Sequence, residues 1–123
     1  MEVKASIKNL RMSPQKVRLV ADMIRGQPVK KALHDLKFCA KRAAQPLEKL
    51  LKSAIANAKH NHKVKDEQEL VVSEIRVDEA ATLKRWRFVS RGRIHRIAKR
   101  VSHVSLVLSE RKQSKIQDPK TKK

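Results

Sequence analysis

The stretch from Lys84 to Arg100, KRWRFVSRGRIHRIAKR, carries eight Lys and Arg in seventeen residues, and no Asp or Glu lies between Ala80 and Ser109. Side chains of one sign repel one another, so a run this dense cannot be folded into a core. It has to be held out, where a polyanion such as a phosphate backbone relieves the repulsion. A merely solvated basic face is the plainer reading. The density of the run, its single sign and its mixing with apolar residues count against that.

The flanks say what shape the run takes. LVVSEIRV, from Leu70 to Val77, is rich in β-branched residues, and its apolar parity shifts between Val72 and Ile75, as a bulged or twisted strand would require. VSHVSLVL, from Val101 to Leu108, alternates, with Val104, Leu106 and Leu108 facing one way. Compact domains rarely carry a structureless loop of about twenty residues. The basic run is therefore expected to be two extended arms that continue the strands, spanning about 79–100 and joined by a turn near Arg91 and Gly92. Trp86 and Phe88 would share one face of such a finger, and Arg85 and Arg87 the other. A short opening strand around Val3 to Ile7 could join the sheet.

Three helices are expected before the strands. Ser13 and Pro14 read as an N-cap and N1 pair, Val17, Val20, Ala21 and Ile24 recur on one face, and Gly26 stands where a left-handed C-terminal residue belongs. Pro28 opens a second helix, which ends near Phe38 and has Val29, Ala32, Leu33 and Leu36 inward. A third runs from about Lys41 to Lys59 on Ala44, Leu47, Leu51, Ala54, Ile55 and Ala58. Its start is open: a beginning at Lys41 makes Pro46 a strained early residue, whereas a beginning at Gln45 makes it N1. Residues 61–69 read as a polar linker. The expectation is one domain over residues 1–110 and a basic tail, RKQSKIQDPKTKK over 111–123, that is disordered without a partner.

Thirty-one Lys and Arg against twelve Asp and Glu give a net charge of +19 over 123 residues, which points to nucleic acid. Anionic membrane is the competing partner, but no apolar run approaches a spanning length of about 18 residues, and MEVKASIKN lacks the apolar core of a signal peptide. One cysteine, Cys39, excludes an internal disulfide, fits a reducing compartment, and reads as a small buried side chain.

Catalytic readings fail on composition. Gly26 and Gly92 are the only glycines, too few for a P-loop or a dinucleotide fingerprint. Ser13 and Lys16 match S-x-x-K spacing without the partner motifs, and a helix cap accounts for Ser13. His60 and His62 flank Asn61, with no sulfur nearby and only Asp66 and Glu67 as carboxylates, which is too little for a metal centre. Polar residues at a helix end explain them better. His95 and His103 read as structural or phosphate contacts. Asp78 and Glu79 read as ion-pair partners for Lys84 or Arg85 rather than as an acid/base pair. No cofactor is called for.

Three aromatic residues, Phe38, Trp86 and Phe88, cannot supply the paired base-stacking residues of a common RNA-reading sheet, and no helix-turn-helix or Cys/His finger is present. A long basic finger suits irregular folded RNA, where it can thread between helices. An architectural DNA-binding protein with basic β-arms is the alternative.

RMSPQKVRLVADMIRGQPVKKAL from Arg11 to Leu33, LKSAIANAKHN from Leu51 to Asn61, VDEAATLKR from Val77 to Arg85, and GRIHRIAKRVSHVSLVL from Gly92 to Leu108 resemble, in order and over nearly the whole chain, the universal L twenty-two family of large-subunit ribosomal proteins. The resemblance implies an α+β fold, with three helices packed on a small antiparallel sheet and a long protruding basic β-hairpin. It implies a structural, non-enzymatic protein of the large subunit, in the cytoplasm or on an organelle ribosome. Its partners would be large-subunit rRNA, neighbouring ribosomal proteins and, near the hairpin tip, the nascent peptide. Carried over residue by residue, rRNA contacts fall on Arg11, Ser13, Lys16, Arg18 and Arg25, on His60 and Asn61, and on Lys84, Arg85, Arg87, Arg91, Gly92, Arg93, Arg96, Lys99, Arg100 and His103. The tunnel-lining tip would comprise Trp86, Arg87, Phe88, Val89, Ser90 and Arg91. The chain departs from the family pattern at Asp78-Glu79-Ala80-Ala81, where Asp-Glu-Gly-Pro is usual, and at Phe88-Val89-Ser90, where Pro-Arg-Ala is usual. The tip thereby exchanges a fixed backbone and a cation for an aromatic surface.

Overall fold

The computed structural model describes residues 1–111, and the expected tail beyond Arg111 lies outside them. The order of elements is β1 (Glu2–Leu10), α1 (Pro14–Ile24), α2 (Val29–Phe38), α3 (Ala44–His62), β2 (Leu70–Glu79), β3 (Leu83–Phe88), β4 (Ile94–Lys99) and β5 (Ser102–Glu110). The fold is α+β: three helices pack on an antiparallel sheet of order β1-β5-β2, and β3 and β4 form a separate two-stranded ladder.

Alternation in β5 places Val104, Leu106 and Leu108 in the core, and as the middle strand β5 ties the first and last thirds of the chain together. The inner faces of the helices meet it there. Val17, Val20, Ala21 and Ile24 of α1, and Ala44, Leu47, Leu51, Ala54, Ile55 and Ala58 of α3, are all buried. In α2 Leu33 is only partly buried, while Val29, Ala32 and Leu36 are fully inside. The parity shift in the sequence marks a real irregularity, since the β2–β5 register slips between Val72 and Glu74. Val72 and Ile75 can then both face inward.

Several local expectations need correction. Ser13 sits at the N-cap of α1 and its carbonyl accepts from Lys16 and Val17, but its side chain caps nothing, so the hydroxyl is not what fixes this helix end. Helix α3 begins at Ala44, between the two expected starts, which puts Pro46 in the first turn, where a missing N–H costs little. It continues to His62 and ends on Lys63 in the left-handed region, so the linker is shorter than 61–69 and contains a 3-10 turn, Glu67–Glu69. Strand β1 reaches Leu10 rather than Ile7 because it pairs along β5 as far as Ser102. Cys39 is half-buried at the end of α2 and not a core residue.

The free edge of β2 is covered by the α1–α2 region. Gly26 N–H donates to the Val72 carbonyl, Val72 N–H donates to Gln27, Arg25 donates to the Ile75 carbonyl, and Arg18 donates to the Val77 carbonyl at 3.1 Å. Gly26, at φ +76, provides the left-handed residue that turns the chain onto this edge. An open strand edge is a template for unwanted pairing, and Arg18 on α1 with Arg25 at its C-cap helps to close it. Arg18→Ala is expected to cost about 1 kcal/mol, as a hydrogen bond from a charged group to a partly exposed carbonyl is lost. Chemical denaturation measures this, and an unchanged midpoint would mean that the contact is incidental.

Candidate nucleic-acid interface

At the end of the sheet the β2–β5 ladder gives way to β3–β4. Glu79 pairs with Ser102 and Leu83 with Lys99, which leaves three residues between pairs on the outgoing strand and two on the returning one. The extra residue breaks the ladder, and a single backbone hydrogen bond, from Ala80 N–H to the Val101 carbonyl at 2.9 Å, bridges the gap. Beyond it, β3 and β4 pair continuously from Leu83–Lys99 to Phe88–Ile94. A turn at Ser90–Gly92, with Arg91 at φ 60 and Gly92 at φ +67, closes the hairpin. Left-handed backbone is natural for Gly92 and mildly strained for Arg91.

No side chain of either arm is buried. Leu83 and Ile97 are half-covered, while Trp86 is 62% exposed and Phe88 82%. Phe88 stands across from Ile94, and Trp86 across from Arg96, whose guanidinium lies 5.1 Å from the indole centroid. One face of the hairpin thus carries its aromatic side chains, interleaved with Lys84 and Arg96. The opposite face carries Arg85 and Arg87, the latter paired across the ladder with His95. Among the described residues the one ion pair reaching this region is Arg100–Glu79 at 3.1 Å. Glu79 therefore pairs with the returning arm, not with Lys84 or Arg85 as expected, because its position across from Ser102 brings it beside Arg100.

A second basic surface lies at the foot of the hairpin. Arg11 from the β1–α1 connection, Lys16 from the first turn of α1, Lys41 and Arg42 from the α2–α3 connection, and Lys99 and Arg100 at the end of β4 line one groove of about 710 Å³. Ser13 is also in its wall. Helices α1 and α3 both start at this groove, neither with an acidic residue in its first turn, so both positive dipole ends add to the field. Lys41 and Arg42 were missed in the sequence; two adjacent cations directly before a helix start were the available signal.

The remaining expected contacts do not gather there. Arg18 and Arg25 are committed in part to β2 carbonyls, and Arg25 also bonds to Asp22. His60 and Asn61 are exposed in the last turn of α3, about 25 Å of helix away from the groove end. His103 accepts a hydrogen bond at Nδ1 from the Asn9 amide at 3.0 Å, which gives it a structural task between β1 and β5. Among the described residues no cluster of His, Cys, Asp and Glu could hold a metal ion, and no helix is long and apolar enough to cross a membrane.

Residues 5–109 match the family described as ribosomal protein L22p/L17e. The sequence is 49% identical over 113 residues to the large ribosomal subunit protein uL22 of Oceanobacillus iheyensis, covering 92% of this chain and 99% of that one. It is 55% identical over 106 residues to the large ribosomal subunit protein uL22 of Christiangramia forsetii, covering 85% of this chain and 78% of that one.

Proposed function

This chain belongs to the ribosomal protein L22p/L17e family, and from that premise we propose that it binds large-subunit rRNA, supports subunit assembly, and lines the nascent-peptide exit tunnel with its hairpin tip. Its relatives are structural proteins of the large ribosomal subunit and not enzymes, so its place of action is the ribosome. The observation that carries the RNA-binding reading is the hairpin, whose cations between Lys84 and Lys99 have no carboxylate partner among the described residues and whose aromatic face is open. Phosphates would neutralise the cations, and unstacked bases or peptide would cover Trp86 and Phe88. Arg11, Lys16, Lys99 and Arg100 would extend the phosphate contacts along the groove, and His60 and Asn61 would touch a separate RNA segment. Residues 1–110 would act as one unit in this binding.

The tip from Trp86 to Arg91 is the part assigned to the tunnel wall. Its Phe88-Val89-Ser90 sequence offers a bulky aromatic surface to a passing peptide. Co-sedimentation tests the ribosomal part of this reading. Once built into large subunits, where rRNA would enclose it from several sides, the tagged protein is expected to travel with them and to remain after a high-salt wash, unlike its complex with an isolated RNA fragment. A bound fraction that follows chromosomal DNA instead would favour the architectural DNA-binding alternative.

A further inference from the structure

The groove at the foot of the hairpin contains a surface for which phosphate has no use. Between its cations it presents Met12, Leu19 and Leu83, with the buried Val101 beneath them. Leu19 is 56% exposed, more than Met23 at 40% on the same helix, whereas Ile24 is buried. A duplex backbone resting on the rim would leave these aliphatic groups against water. A base lifted out of its stack would cover them, and RNA loops and bulges offer such bases. The volume, about 710 Å³, also falls within the range of about 300–1,000 Å³ typical of clefts that enclose small organic groups.

We propose that this groove takes one unstacked nucleotide of the rRNA, its base against Met12, Leu19 and Leu83, and its flanking phosphates on Arg11, Lys16, Lys41 and Arg42. The inference rests on the rRNA-binding reading above and adds to it a base contact with two cations, Lys41 and Arg42, on its rim. Arg100 shares its charge with Glu79, so the phosphates of this one nucleotide are assigned to the other cations. The converging starts of α1 and α3 favour phosphate on the same side as Arg11 and Arg42.

Salt dependence separates the two kinds of contact, because phosphate contacts release counterions whereas an apolar contact does not. The affinity of the full chain for transcribed large-subunit rRNA is to be measured at several salt concentrations. Leu19→Ala is expected to lower it about five- to ten-fold at every salt concentration, giving a line parallel to the wild type. Leu19→Met, which keeps an apolar side chain and helix propensity, should restore most of the loss. Lys41→Ala combined with Arg42→Ala should lower affinity and reduce the salt slope by about 1.4 to 1.8, as expected for two phosphate contacts. Wild-type affinity in Leu19→Ala, with the double variant still flattening the slope, would overturn the base contact and leave a phosphate-only groove, with rRNA binding intact. Impaired incorporation of Leu19→Ala into large subunits at unchanged RNA affinity would assign the aliphatic surface to a neighbouring protein and also overturn it. Absence of rRNA binding by the wild type would instead remove the reading on which the inference rests.

Discussion

Affinity for a cognate rRNA fragment is expected to fall by about three to five decades between roughly 50 mM and 200 mM salt, the loss that accompanies about six to ten phosphate contacts. The structure offers that many cations in two connected places. Lys84, Arg85, Arg87, Arg91, Arg93 and Arg96 lie along the hairpin, and Arg11, Lys16, Lys41, Arg42 and Lys99 surround the groove at its foot. Filter binding or fluorescence anisotropy across a salt series measures the slope. A nearly flat plot of log affinity against log salt would mean that phosphate contacts are not the main source of binding. Neutralising Arg93, Arg96 and Lys99 together should weaken binding and flatten the slope, yet leave the melting temperature of the free protein nearly unchanged. All three are exposed and without an acidic partner among the described residues. Replacing exposed charges of this kind alters stability little. Arg18 makes the opposite case: its guanidinium holds a β2 carbonyl, so its removal should register first in stability.

The contrast between those arginines marks where the sequence stops being legible. Periodicity identified the buried faces of α1 and α3 and the inward residues of β5, because burial imposes a repeat on the residues themselves. It also identified the hairpin, since an acid-free run between two strand patterns leaves few other shapes. Arg18 and Arg25 look like any other exposed cations in sequence. Only the packing of α1 beside an edge strand decides that they donate to Val77 and Ile75. The pairing of Glu79 with Arg100 depends likewise on cross-strand register, which an extra residue at the foot of the hairpin resets. The cations of the groove come from three segments far apart in the chain, so Lys41 and Arg42 could be connected to Arg11 and Lys99 only once the helices had been placed.

The hairpin amides from Lys84 to Arg96 are expected to exchange in the free protein within about ten-fold of their unprotected rates, while those of α3 are protected by about three decades or more. An isolated two-stranded ladder is marginal in water, and here neither arm buries a side chain in the core. Ordering its backbone costs roughly 1–2 kcal/mol per residue, without burial to offset it. Repulsion among its cations adds to the cost, and the Trp86–Arg96 contact, worth about 0.5–1 kcal/mol at an exposed site, is too small to reverse the balance. Surrounding rRNA would supply the missing counter-charge and contact area, so binding and ordering should occur together. Protection of Lys84–Arg96 equal to that of α3 in the free protein would refute this. The same reasoning predicts that the distal hairpin is dispensable for the fold. Replacing Trp86–Arg96 by Asn-Gly retains the Arg85–Ile97 pair and closes it with a favourable two-residue turn. That variant should melt within about 2 °C of the wild type and still enter large subunits. If the tip lines the tunnel as proposed, near where the family resemblance implies that macrolides bind, its loss should change macrolide sensitivity on the order of ten-fold, corresponding to about 1.4 kcal/mol of altered drug contact, or change pausing on nascent chains. Ribosomes that carry the variant with unchanged drug response and unchanged pausing would place the tip away from the tunnel, whereas failure of the free protein to fold would mean that the hairpin belongs to the core.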